Sequence, residues 1–376
     1  MLEQVPVEAD TDKLTDEDLA MSATPGAADA QRKVVLVAGS GRSGTSLMSG
    51  ILKHMGMHVP EPEVVADTTN PKGFGEPRWV VDFHETLLKR VNVHTADARP
   101  SAWFDAGRAG TRELNRSELT TWLEEQFAHG DSLVIKDPRI SWFLGLWRVA
   151  AVRSAASTRT ITMLRPPAEV VGSKNAYYGG RQGDISRLAG WANVMLCTER
   201  ATRGSARAFV RYHDLLDDWT KTVVRLGEEL DLAEVAEAGT GKMQEVHTFV
   251  DPQLRRVRAT WDDLSVPDNL REVAQATWDQ LNLLAEPGGD TPEVHAALDE
   301  LRRAYGAVYS DAEALANSSV VAAGPAFLRA TRQARAAQAE AEAAAAFEAA
   351  SPMRKTYLRT RRAGGRVKRR LQNRGE

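Results

Sequence analysis

One cysteine in 376 residues, Cys197, leaves no partner for an internal disulfide. Its setting among the apolar residues of a helical pattern reads as a core thiol in a reducing compartment. No apolar run approaches the roughly 20 residues that a membrane helix needs. The N-terminal stretch also lacks a basic segment followed by an apolar core, the mark of a secretory leader. Glu3, Glu8, Asp10, Asp12, Asp16, Glu17 and Asp18 make it acidic instead. These three shortages predict a soluble, cytoplasmic chain.

A fourth shortage is local. Residues 38–47, Ala-Gly-Ser-Gly-Arg-Ser-Gly-Thr-Ser-Leu, follow the apolar run Val34 to Val37 and precede a helical pattern from about Gly44 to Met55, with Leu47, Ile51 and Met55 on one face. Gly39, Gly44 and Ser46 fit the phosphate loop G-x-x-x-x-G-K-[ST], but Thr45 stands where the lysine belongs and a different cation, Arg42, lies inside the loop. Unpaired N–H groups at a helix start still suit a phosphate. What is missing is the charge that a nucleotide kinase sets on the β- and γ-phosphates. Asp137 comes closest to the strand-end carboxylate that such an enzyme uses to hold magnesium, yet Lys136 and Arg139 flank it and favour an anion site.

The apolar fraction of 43% and charged fraction of 26% match a globular protein with a full core. Ser132 to Lys136, Thr158 to Leu164 and Ala208 to Tyr212 read as further strands. Alternation with helices predicts an α/β protein: a three-layer P-loop-like fold around a central parallel sheet, with a helical C-terminal extension. Cations close two of these strands, at Lys136 and Arg165, and ligands of parallel sheets bind beyond the carboxyl strand ends. Asp67 to Pro77, with two prolines and two glycines, reads as an ordered loop before a helix through Val81, Leu87 and Leu88. Helical patterns follow at 268–284 and 292–315.

The net charge of −3 conceals asymmetry. Residues 1–31 form an acidic, disordered head, 32–320 the α/β domain, 321–352 an alanine-rich exposed helix, and 353–376 a basic tail with Lys355, Arg361, Arg362, Lys368, Arg369 and Arg370. The default for the tail is a solvated, disordered segment; peripheral contact with anionic lipid at the inner face of a membrane is the minority reading, and no nucleic-acid partner is expected.

Three motifs in order resemble the sulfotransferases that use 3′-phosphoadenosine-5′-phosphosulfate, over roughly Val34 to Arg256. Gly41-Arg42-Ser43-Gly44-Thr45-Ser46 is similar to the family's 5′-phosphosulfate loop, with Arg42 at the lysine position. Arg165-Pro166-Pro167 through Ser173 resembles its 3′-phosphate motif, an Arg at a strand end and a Ser eight residues on. Phe249 to Arg256 resembles a segment found in bacterial members after the last core strand, and Arg255 or Arg256 would then close over the 3′-phosphate; solvated surface arginines are an equal alternative. Asn70-Pro71-Lys72-Gly73-Phe74-Gly75-Glu76 resembles the N-P-x-G-x-x-E segment of carbohydrate and bacterial members, whose glutamate is a candidate general base.

The resemblance implies that Arg42 and Lys136 stabilise the transferring group and that Gly41, Arg42, Ser43, Gly44, Thr45 and Ser46 hold the 5′-phosphate. Arg165 and Ser173 would hold the 3′-phosphate, and Glu76 would take the acceptor's proton, with His84 in reserve and no metal required. Pro138 stands in place of the histidine that follows the lysine in the cytosolic small-molecule members. Arg139 either meets the acceptor or Glu76, or pairs with Asp137. Phe74, Trp79, Trp142, Tyr177 and Tyr178 are candidates for stacking on adenine or a sugar, against the commoner role of core aromatics. The acceptor class spans carbohydrate, glycolipid and small-molecule hydroxyls or amines. Rival readings are an ATP-dependent small-molecule kinase and a non-catalytic binding protein acting through its basic tail.

Overall fold

The structure, a computed structural model, describes residues 31–67, 70, 72–179, 182–251 and 257–348, with backbone alone at 320–332 and 334–348. Residues 1–30 of the acidic head, the basic tail, Arg255 and Arg256 lie outside the described residues.

Four strands form one parallel sheet in the order β2-β1-β3-β4: β1 (Arg32–Ala38), β2 (Ser132–Lys136), β3 (Ala156–Leu164) and β4 (Arg207–Arg211). The four apolar runs read from sequence are these strands. The last ends one residue early, because Tyr212 opens a short helix. Helix α1 (Thr45–His54) follows the glycine loop; α2 (Arg78–Arg90), α3 (Ala102–Gly110) and α4 (Glu113–Gln126) separate β1 from β2. After β2 come α5 (Leu144–Arg153), then β3, α6 (Pro167–Tyr178) and α7 (Asp184–Thr202). Beyond β4 the chain is helical: α8 (Tyr212–Asp217), α9 (Trp219–Glu229), α10 (Ala233–Ala236), α11 (Thr240–Phe249), α12 (Asp268–Leu284) and α13 (Pro292–Glu348).

Strand side chains alternate between faces, so β1 feeds two cores. Val35 and Val37 pack with α1, α9 and α11, while Val34 and Leu36 pack with α2 to α5. A third cluster joins Val170, Val171, Leu188 and Trp191 of α6 and α7 to α12 and the start of α13. The fold is therefore three-layered α/β, with helices over both faces of the sheet. Each buried Val or Leu contributes about 1.5–3 kcal/mol relative to exposure.

The register places Lys136 beside Val37, and Ala38 beside Thr162, so the glycine loop and the strand-end cations emerge on one edge. Because β2 and β3 flank β1 on opposite sides, that edge is the topological switch point where parallel sheets bind ligands.

The chain divides into two compact units, Met1–Tyr309 and Ser310–Glu376, with the boundary inside α13. The first holds the sheet. In the second, the described residues are the remainder of α13. The pattern at 292–315 and the alanine-rich stretch as far as Glu348 belong to one helix, whose alanines have high helix propensity and carry it through Gly324 and Pro325. Among the described residues, no helix is long and apolar enough to cross a membrane.

Candidate active site

Loop 39–44 is held in conformations that few residues adopt. Gly44, the residue before α1, has φ +93°, and a Cβ there would lie 2.3 Å from Cδ2 of Tyr212. Arg42 also has φ 76°, a left-handed strain that an ordinary residue keeps only where its surroundings hold it. The holding group is Arg165: its Nη1 donates to the Arg42 carbonyl at 3.1 Å and its Nη2 to the Val257 carbonyl at 2.9 Å. Nε of Arg165 bonds Glu169 at 2.9 Å, and the guanidinium stacks 4.9 Å over the Tyr212 ring. Arg165 thus ties the ends of β3 and β4 to the loop. The first turn of α1 carries no acidic side chain, which leaves its positive dipole end uncompensated from within the helix.

Arg42 and Ser173, 131 residues apart, meet directly: Nε donates to Oγ at 3.1 Å. The same guanidinium lies 4.2 Å over Tyr177. The loop motif and the Arg-Ser motif therefore form one wall. Ser43 departs from expectation. It is fully buried, its N–H bonds the Ser40 carbonyl at 3.1 Å, its hydroxyl has no partner among the described residues, and it does not line the cavity.

Glu76 reaches the site because its segment is tethered at several points. Asn70 Nδ2 donates to Ser46 Oγ at 3.1 Å, Ser49 Oγ donates to the Gly75 carbonyl at 3.2 Å, and the Glu76 carbonyl accepts from Val64 N at 2.8 Å. There Oε1 of Glu76 takes a hydrogen bond from Nζ of Lys136, and both side chains are buried. Two of the three proposed catalytic groups therefore form one ion pair.

Asp137 settles differently from a metal ligand or a free anion. It is completely buried, accepting from His84 Nδ1 at 2.7 Å and from Arg139 N and Nη1 at 3.0 and 2.8 Å. Burial alone would raise its pKa, but the His84 hydrogen bond and the Arg139 charge outweigh that and hold it below the ordinary carboxylate value. Trp147 Nε1 donates to the other His84 nitrogen at 2.9 Å, which holds the ring with Nδ1 toward Asp137. With both ring nitrogens occupied and no exposure, His84 is not placed to take an acceptor proton. Of the two placings left open for Arg139, pairing with Asp137 is realised, and Glu85 is a second partner at 2.7 Å; Arg139 nevertheless borders the cavity.

That cavity, about 600 Å³, spans the loop, the strand ends and the 70–76 segment. Gly41, Arg42, Gly44, Thr45, Ser46, Glu76, Lys136, Arg139, Arg165 and Ser173 all line it. Lys72, Lys174 and Arg187 add three cations that sequence reasoning did not assign to the site, whereas Glu76 is the one carboxylate among its described lining residues. Lys174 directly follows Ser173 of the Arg-Ser motif. Phe74, Tyr177 and Tyr178 border the cavity; Trp79 instead stacks on Trp122 and Phe83, and Trp142 is buried with Nε1 on the Thr95 carbonyl. Cys197 is a core thiol, as its apolar setting indicated, with burial pushing its pKa up to about 12.

No family model matches the chain, and no curated protein matches it. Among solved structures, it is similar to the sulfotransferase domain from the Synechococcus PCC 7002 olefin synthase, at 15% identity and a TM-score of 0.41, covering 67% of this chain and 94% of that one. It is also similar to the sulfotransferase domain from the curacin biosynthetic pathway, at 16% identity and 0.40, covering 67% and 98%.

Proposed function

We propose that the cavity is the site of a sulfotransferase that moves a sulfuryl group from 3′-phosphoadenosine-5′-phosphosulfate to a hydroxyl or amine of a carbohydrate, glycolipid or small molecule. The observation that carries this reading is the charge of the cavity. Among the described lining residues, seven cations and one carboxylate surround a glycine loop that has no lysine of its own, which suits a donor bearing anions at both its 5′ and 3′ ends. Arg42, Thr45, Ser46 and the α1 N–H groups face the 5′ end, and Ser173 and Arg165 the 3′ end. Arg255 and Arg256 remain candidates for the 3′ end from outside the described residues.

In the transfer, the bond from sulfur to the phosphate oxygen breaks as the bond from sulfur to the acceptor oxygen or nitrogen forms. The acceptor's proton passes to Glu76. Lys136 engages Oε1 of Glu76, so Oε2 is the oxygen disposed to accept it. Lys136 and Arg42 offset charge developing on the transferring and leaving oxygens. Positioning and charge then supply most of the acceleration.

The glycine spacing of the loop favours a kinase as the second reading. Against it, Asp137, the carboxylate nearest a strand end, is sealed by His84 and Arg139. One experiment separates the two. Incubation with the phosphosulfate donor, a chelator and a panel of acceptors should release 3′,5′-adenosine bisphosphate with sulfated product; turnover of ATP with magnesium and none of the phosphosulfate would establish the kinase instead.

A further inference from the structure

Cations on the cavity wall differ in what neutralises them. Lys136 has Glu76, Arg139 has Asp137 and Glu85, and Arg165 has Glu169. Among the described residues, Lys174 has no such partner. Its ammonium is buried, donates to Ser40 Oγ at 3.1 Å, and forms no ion pair with a carboxylate among the described residues. The charge that acts on it has its own sign: Arg187 of α7, itself buried and bonded to the Asn175 side-chain oxygen and the Gly179 carbonyl.

A buried ammonium with a single neutral hydrogen-bond partner is costly. Burial, then Arg187, pushes the Lys174 pKa down to about 8. Yet the group is not sealed in the core, since Lys174 and Ser40 both line the cavity, at the point where β1 enters the glycine loop. Two N–H donors of Lys174 are unspent on the described residues. The loop beside it lacks the lysine expected at the Thr45 position.

We propose that Lys174 is the phosphate lysine of this loop, supplied from α6 instead of from the loop itself, and that its ammonium binds an oxyanion (phosphate, sulfate or phosphosulfate) seated in the β1–α1 turn against Ser40. This deepens the donor reading given above by adding a binding residue to the same site, but the chemistry requires only an oxyanion. The same logic explains why Thr45 is tolerated: the charge reaches the cradle from across the sheet edge.

The test is calorimetric titration of the full-length wild-type protein, Lys174→Met and Lys174→Arg at pH 7 and fixed ionic strength. Three ligands are used without metal: 3′,5′-adenosine bisphosphate, ATP and sulfate. Loss of one charge-assisted hydrogen bond predicts roughly 10- to 100-fold weaker binding to Lys174→Met for each anion the wild type binds, with Lys174→Arg within a few-fold of wild type. In the absence of ligand Lys174→Met should melt no lower than wild type, because it removes an unpaired buried charge. A purely structural lysine would give the opposite pair of results.

Unchanged affinity in a folded Lys174→Met overturns the proposal, as does a Lys174→Met chain that fails to fold. The outcomes also separate this proposal from the donor reading. Binding of ATP but not of the 3′,5′-bisphosphate, lost in Lys174→Met, removes the phosphosulfate donor and keeps the lysine. Bisphosphate binding that Lys174→Met leaves intact does the reverse, and no anion binding by the wild type sinks both.

Discussion

At the residue scale, the pairing of Glu76 with Lys136 sets separate expectations for activity and stability. Glu76→Gln keeps the shape and a hydrogen-bond acceptor for Lys136 while removing the proton acceptor, so turnover should fall about 100-fold or more under saturating donor. Lys136→Met leaves a buried carboxylate unpaired and should cost about 3–5 kcal/mol in chemical denaturation. The double variant should recover much of that loss, since neither charge is then stranded. A loss in the double variant equal to the sum of the two single losses would mean that the pair is not coupled. The pH response rests on Lys174, whose surroundings are Ser40 on the loop, Arg187 on α7, and Arg42 and Arg165 along the same cavity wall. Its folded pKa, about 8, lies below the ordinary lysine value. Between the two, the unfolded chain binds more protons than the folded one, so this group's contribution to stability rises with pH across that window. Anion affinity moves the other way: it should be flat below pH 8 and fall by up to tenfold per unit above it, a slope that Lys174→Arg abolishes. Sulfate, which does not itself titrate in this range, is the ligand to use.

At the element scale, the decisive contact is the turn between β1 and α1 against α8. Gly44→Ala would set a Cβ into the Tyr212 ring and force a side chain onto φ +93°. We expect a loss of ~2 kcal/mol or more and loss of anion binding together. Gly44→Ala combined with Tyr212→Ala relieves the clash but not the backbone strain, so it should recover neither in full; complete recovery of thermal stability would show that strain is negligible there. Much of this region was legible in the sequence. Strands announce themselves through local apolar runs, glycine spacing through the turn it permits, and Lys136 and Arg165 by closing their runs. The pairings were not legible. His84 with Asp137 and Glu76 with Lys136 join residues 53 and 60 apart, and no local periodicity encodes such a juxtaposition. Lys174 was missed for a related reason: one lysine in a helix reads as solvent-facing until the cavity behind it is known.

For the whole molecule, the unit Met1–Tyr309 contains every residue of the described site, and the start of α13 belongs to its core through Leu298 and Tyr305. The Tyr305 hydroxyl donates to the Ala189 carbonyl at 3.0 Å. A chain ending after Tyr309 should therefore keep its melting temperature within a few degrees and its anion affinity unchanged. One ending before Pro292 should lose substantial stability by exposing that cluster. Retained anion binding in the longer truncation would also count against the reading in which the basic tail does the work.

The bridge from Arg165 to the Arg42 carbonyl and the Tyr212 ring has a kinetic consequence. Because folding of the sheet already fixes the turn, an arriving anion does not have to order it, and no conformational step need precede capture. Association should then be steered by the cavity's positive field and slow steeply with ionic strength, while amide exchange in the turn changes little on binding. Selectivity among anions would lie in how long each one stays.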